Sequence, residues 1–257
     1  MLNHIFDTHA HYDDERFEGL LNEVFECQCA NGVDFIINNG SDEQSSLASI
    51  ALAEKYSFVY ASVGIHPQSA GALTGGWLNR IEEMTKNPKV VAIGEIGLDY
   101  HFPEPAHDLQ AEIFRAQLGL AVKLGMPIEV HDRDAHRDTF DILCEYHPSG
   151  CLHRYSGSPE MASEIVQKLG MSLGIGGALT YKNSKKEVET VRTIPLDFLR
   201  LEPDCPYLAP AGRRGRTSTS DMISAVAEKI SQIKGDVSAQ EVLDITCANA
   251  KKLFGIK

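Results

Sequence analysis

Eight short apolar runs alternate with eight segments of helical character along these 257 residues, and no other feature of the sequence restricts the fold as strongly. The runs are Ile5-Phe6, Phe35 to Ile37, Val59 to Ile65, Val90 to Ile93, Pro127 to Val130, Cys151-Leu152, Met171 to Ile175 and Phe198 to Leu201. Most lack the polar alternation of a half-exposed strand, which suits parallel strands covered on both faces. The gaps hold residues 13–30, 42–56, 76–87, 134–146, 159–169, 183–191 and 218–233. The clearest helix places Leu109, Ile113, Ala116, Leu120 and Leu124 at steps of three or four, giving it one apolar face. This repeated alternation predicts an α/β fold, a (β/α)8 barrel of the TIM type. The first and sixth runs are only two residues long, so the pattern also accommodates a seven-stranded or distorted barrel. A final helix, 238–253, is expected to cover one end or side.

No Pro/Gly/Ser-rich linker divides the chain, so residues 1–257 are assigned to one domain. No apolar run approaches the roughly 20 residues that span a bilayer, and the amino terminus lacks a basic region followed by an apolar stretch. A cytoplasmic protein that engages no membrane is expected. The six cysteines form no Cys-x-x-Cys pair or regular framework, so reduced, mostly core-filling thiols are expected. The net charge of −12 argues against a repressor-like or architectural grip on duplex nucleic acid. It leaves room for an enzyme that meets phosphate only at a metal centre.

Chemistry in such barrels collects where strands end at their carboxyl side. His9 and His11 follow the first run, His66 the third, Glu95 the fourth, His131 the fifth, His153 the sixth and Asp204 the eighth. Imidazole and carboxylate are the side chains that hold catalytic divalent ions. In extended backbone the two histidines of His9-Ala10-His11 point to the same side and can reach one ion. Glu95 lies between Gly94 and Gly97, which let the backbone turn closely, and its two oxygens can bridge two ions. After His131, Arg133 is a candidate anion clamp and Asp134 a candidate cap for the next helix, while His136 reads as a helix-surface group. Cys205 is more simply a packed neighbour than a ligand, and His4, His101, His107 and His147 read as surface groups. No nucleophile elbow, phosphate-binding Gly-Lys loop or dinucleotide fingerprint is present, which weakens serine hydrolase, kinase and dehydrogenase readings.

Six segments in order resemble the TatD family of metal-dependent deoxyribonucleases, within the amidohydrolase-like barrels. They are 7–11 (DTHAH), 63–67 (VGIHP), 92–100 (AIGEIGLDY), 127–135 (PIEVHDRDA), 153–157 (HRYSG) and 202–210 (EPDCPYLAP); the ending 249–254 (NAKKLF) also looks like the family's terminal helix. The resemblance implies two divalent ions, zinc, magnesium or manganese. It implies that His9, His11, Glu95 and Asp204 surround one, and that Glu95, His131 and His153 hold the other. A hydroxide generated there would be the nucleophile, Asp204 the proton acceptor, and His66 and Arg133 the contacts to substrate phosphate. The chain departs from the family's usual pattern at Arg154, where Cys is common, at Pro203, and at 216–219, where Arg-Asn-Glu-Pro is common.

The leading expectation is a metal-dependent hydrolase of phosphodiesters, most readily a deoxyribonuclease acting as an exonuclease or on single strands, with DNA or another phosphate ester bound transiently and no obligate protein partner. Lys182, Lys185, Lys186, Arg213, Arg214 and Arg216 follow the seventh and eighth strands and are candidates to offset the acidic average near the mouth, although Lys185 and Lys186 read better as solvated charges. The same chemistry could attack a carbonyl, which keeps a carboxylic ester or amide hydrolase, such as an aminoacyl-ester deacylase, as an alternative. A metal-binding scaffold without turnover is the third reading.

Overall fold

A computed structural model describes residues 2–257. Its eight strands are β1 (Ile5–Ala10), β2 (Val33–Asn39), β3 (Val59–Val63), β4 (Val90–Asp99), β5 (Ile128–Arg133), β6 (Gly150–Leu152), β7 (Ser172–Ile175) and β8 (Leu199–Leu201). They form one sheet in sequence order, each parallel to the next. Helices α1 (Leu21–Ala30), α2 (Glu43–Lys55), α3 (Trp77–Met84), α4 (His107–Leu124), α5 (His136–Tyr146), α6 (Pro159–Leu169), α7 (Lys185–Thr193) and α8 (Ile223–Lys234) follow the strands in turn. This is the predicted barrel, nearly closed. At the seam β8 meets β1 through an isolated bridge, Ala10 with Cys205, the bond His11 N–H to Cys205 O at 2.9 Å, and the Thr8 hydroxyl on Leu201 O at 3.2 Å. Register shifts interrupt the β1/β2, β3/β4 and β4/β5 ladders, so the distortion the sequence allowed is real.

Local chemistry accounts for the element boundaries. Asp42 and Ser45 form a reciprocal capping box at the start of α2, and Ser238 with Glu241 does the same for α9 (Ala239–Phe254). The expected helix over 13–30 is shorter than its spacing suggested, because Gly19 adopts a left-handed conformation and separates a 3-10 turn at Glu15–Phe17 from α1. Asp134 does not cap α5, whose first turn has no side-chain cap; its carboxylate instead meets His101 Nδ1 at 3.0 Å. Of the six cysteines Cys151, Cys205 and Cys247 are buried, but Cys27 and Cys29 on α1 are exposed; all six are free thiols.

Apolar faces of the helices close on the sheet, with Phe114 and Leu118 of α4 and Ile230 of α8 fully buried. A second cluster joins Phe6, Ile37 and Ala92 to Cys247, Ala250 and Phe254 of α9. The terminal helix therefore covers the amino-terminal end of the barrel, which leaves the carboxyl-terminal mouth open for chemistry. No helix is long and apolar enough to cross a membrane among the described residues.

Candidate metal centre

The mouth is built largely from strand parity. Residues two apart on a strand face the same side, so Asp7 and His9 of β1 share a face, as do Glu129 and His131 of β5. Glu95 stands inside β4 and not after it, because β4 continues to Asp99 by pairing Leu98 and Asp99 with Asp132 and Arg133 of an equally extended β5. That pairing depends on two glycines. A Cβ on Gly97, at φ +146°, would lie 1.9 Å from His131 O, and one on Gly94 would lie 2.5 Å from Glu129 Cβ. His153 follows β6 directly, Asp204 follows β8, and His66 opens the 3-10 turn after β3.

His9, His11, His66, His131 and His153 converge on Glu95, whose oxygens face different histidines. Oε2 lies 3.5 Å from His9 Nε2 and 3.7 Å from His11 Nε2. Oε1 lies 2.8 Å from His131 Nδ1, 3.6 Å from His153 Nε2 and 3.8 Å from His66 Nε2. His9 and His11 bring their Nε2 atoms to 3.2 Å of each other. Four ligand-like triads result among the described residues; His9-His11-Glu95 and Glu95-His131-His153 share Glu95, while His9-His153-Glu202 and His66-Asp99-His131 lie beside them. Asp204 is buried beside His11, with Oδ1 3.8 Å from His11 Nε2 and Oδ2 accepting from Arg154 Nη1 at 3.0 Å.

A ring of acceptors behind the histidines was not anticipated from the sequence. Glu129 Oε2 lies 3.6 Å from His9 Nδ1, Glu202 Oε1 3.0 Å from His153 Nδ1, and Asp99 Oδ2 3.2 Å from His131 Nε2. The carbonyl of Asn39 lies 2.9 Å from His11 Nδ1. Each histidine thus has one ring nitrogen toward an acceptor and the other toward the centre, as in metal sites where a second group fixes tautomer and ring orientation. The signal was present in part: Glu129 stands two residues before His131 and Glu202 two before Asp204.

Burial and the surrounding histidines set the electrostatics of the site. Burial would raise the Glu95 carboxyl, but His66, His9 and the His131 hydrogen bond hold it well below the usual range. Burial pushes Glu129 up to about 7 and also raises Glu202. The His66 imidazole is pushed down to about 4 by burial, so it is neutral at neutral pH. No lysine or arginine pairs with Glu95 among the described residues. Imidazole nitrogens and a carboxylate gathered around one buried acid are donors that fit a divalent ion.

The family model described as TatD related DNase matches residues 6–255. The chain belongs to that family. A relative from Bacillus subtilis, named uncharacterized metal-dependent hydrolase YabD, is 40% identical, covering 98% of this chain and 99% of its own. The TatD protein of Erwinia tasmaniensis, named a 3'-5' ssDNA/RNA exonuclease, is 29% identical, covering 98% of this chain and 100% of its own. The crystal structure of the Escherichia coli TatD homologue YjjV superposes with a TM-score of 0.93 at 28% identity, covering both chains completely.

In this TatD-family chain the triads lie under an open cavity of about 730 Å³. Arg133 and Arg154 both line it, as does His66. Arg133 forms no ion pair among the described residues, and its guanidinium lies 5.5 Å from the Phe102 ring centroid. The basic loop expected to serve the mouth does not line this cavity: Arg213 is 3.5 Å from Asp221, and Arg214 lies over the Tyr181 ring. Arg154 lines the cavity where the 213–216 loop was expected to, with its guanidinium 3.0 Å from Asp204 Oδ2. Lys182, Lys185 and Lys186 are likewise absent from the cavity lining.

Proposed function

We propose that this TatD-family protein is a divalent-metal-dependent phosphodiesterase acting on nucleic acid, as an exonuclease or on single strands. The observation that carries the proposal is the division of the two Glu95 oxygens between two histidine pairs, which is what a carboxylate shared by two ions requires. His9, His11 and Glu95, with Asp204 beside His11, would hold one ion, and Glu95, His131 and His153 the other. Such ions supply positive charge that lowers the pKa of water and neutralises a phosphoryl oxygen. Zinc, magnesium and manganese all accept these donors to different degrees.

The remaining chemistry falls to the chain's own groups. Asp204 Oδ1 faces the His11 side of the centre and is placed to take the proton of an attacking water. The His66 Nδ1 accepts from the Gln68 backbone N–H at 3.2 Å, which leaves Nε2–H as a neutral donor to a substrate oxygen. Arg133, unpaired at the rim, offers a forked donor set that matches a phosphate. The exonuclease name of the Erwinia relative supports the same substrate class.

The test is a substrate panel run on protein reconstituted with each of the three metals: oligonucleotides, an aminoacyl ester and a small carboxylic ester. Metal-dependent cleavage of the oligonucleotides is expected, with Glu95→Ala lowering the rate roughly a thousandfold, equivalent to about 4 kcal/mol of transition-state stabilisation. The variant should keep its far-UV circular dichroism. Hydrolysis of only the carbonyl substrates would turn the reading to an acyl hydrolase, and no turnover at all to a binding scaffold.

A further inference from the structure

Among the Phe, Tyr and Trp side chains of the described residues, only Phe102 and Tyr207 fall in the exposed class, at 43% and 46%. Both line the cavity above Glu95. Phe102 belongs to the loop after β4 and Tyr207 to the loop after β8. In an eight-stranded barrel running β1 to β8 in order, β4 and β8 lie half the circumference apart. The two rings therefore flank the centre from opposite sides of the mouth.

Each ring is also held by a guanidinium from the neighbouring strand's loop or end. Arg133, at the end of β5, lies 5.5 Å from the Phe102 centroid, and Arg16, after β1, lies 4.5 Å from the Tyr207 centroid. Tyr207 is fixed further by its hydroxyl, which donates to Asp14 Oδ2 at 3.3 Å, while Arg16 is anchored on Asp14 Oδ1 at 2.9 Å. Two exposed rings fixed at one mouth, while the other rings stay at least partly covered, offer flat apolar faces on which a planar ligand can stack. Bases of single-stranded nucleic acid are such ligands, because each has a free π-face that stacks on an aromatic ring with little regard to sequence. Paired bases in a duplex are already stacked on their neighbours. A net charge of −12 gives the backbone little general attraction, so the rings supply affinity that a basic surface supplies elsewhere.

We infer that Phe102 and Tyr207 form a split stacking platform that holds one base on each side of the scissile phosphate of a single strand. The inference rests on the phosphodiesterase reading above and specifies its substrate. It also assigns a reason to the rim geometry: the phosphate between two stacked bases lies over Glu95, between Arg133 and Arg154.

The experiment compares kcat/KM for a thymidine hexamer with that for a hexamer of the same phosphates carrying abasic tetrahydrofuran sites, on metal-reconstituted protein. Wild type should prefer the thymidine strand at least tenfold, given the roughly 1–3 kcal/mol that each stacked base contributes. In Phe102→Ala/Tyr207→Ala the ratio should fall toward one, chiefly through KM, and Phe102→Trp with Tyr207→Phe should restore it. Equal cleavage of both strands by wild type, or a ratio unchanged in the double alanine variant, overturns the platform and leaves the phosphodiesterase reading intact. If wild type cleaves neither strand, the phosphodiesterase reading fails and the platform fails with it.

Discussion

At the residue scale the centre separates groups that meet ions from groups that orient them. Glu202 is fully buried and accepts the Arg154 N–H at 2.5 Å while facing His153 Nδ1 at 3.0 Å, so it fixes the ring without reaching the centre itself. Glu202→Gln should weaken metal affinity about 10- to 100-fold with the metal-to-protein ratio still restored at high metal, because the amide holds the ring less firmly than a carboxylate. Competitive chelator titration measures this, and an unchanged affinity would confine Glu202 to packing. Arg133 makes the opposite case: exposed, unpaired and clear of the triads, it should matter to substrate alone. Arg133→Ala should lower phosphodiester kcat/KM by about tenfold or more, since a charge-assisted hydrogen bond contributes roughly 1.5–3 kcal/mol. Metal content, read by elemental analysis, should stay at the wild-type level. A parallel loss of metal would make Arg133 a support for the site.

At the element scale the approach of β4 to β5 decides whether Glu95 and His131 can meet. Their backbones come so close at Gly97 that a methyl group there would overlap the His131 carbonyl, and φ is positive as well. Gly97→Ala combines overpacking with backbone strain, so it should cost about 3 kcal/mol or more. For a chain of this length that corresponds to a fall in Tm of roughly 6–12 °C, which calorimetry would show. A change of less than about 2 °C would mean that the ladder yields elsewhere. Glu129 opposes Gly94 in the same way, and the side of β5 that carries His131 is thereby pressed against the strand that carries Glu95. At the opposite end of the barrel α9 seals the amino-terminal side with an apolar cluster, which removes that end from chemistry.

At the scale of the whole molecule the site is a staple between distant parts of the chain. Residues from β1, β4 and β5 and from the loops after β6 and β8 converge on it, and an unfolded chain cannot hold them together. Ions that bind only the folded state stabilise it by mass action, by about 2.7 kcal/mol at a hundred times Kd. Chelation should therefore lower Tm by roughly 5–11 °C at that loading, and readdition of metal should reverse the change. The effect should be largely absent from Glu95→Ala, which loses the shared carboxylate. Equal chelator sensitivity in that variant would place the stabilising ion elsewhere.

Much of this architecture was legible in the sequence because it is set by local periodicity. Apolar runs separated by helical spacing specify a β/α alternation, and parity within a strand tells which neighbours share a face, so His9 with His11 and the placement of Glu95, His131 and His153 could be read without coordinates. Boundaries set by pairing could not: β4 runs on to Asp99 only because β5 offers a partner as far as Arg133. Distances between groups far apart in sequence were also undetermined. Arg154 reaches Asp204 across 50 residues, Glu202 backs His153 across 49, and the loop at 213–216 turns toward Asp221 and Tyr181 and away from the mouth. Only barrel closure brings Phe102, after β4, and Tyr207, after β8, to one opening. The sequence by itself determined which residues stand at strand ends, since that depends on the chain's own repeat. Only the tertiary structure decided which of them face one another, because that depends on strand register and on how the sheet closes.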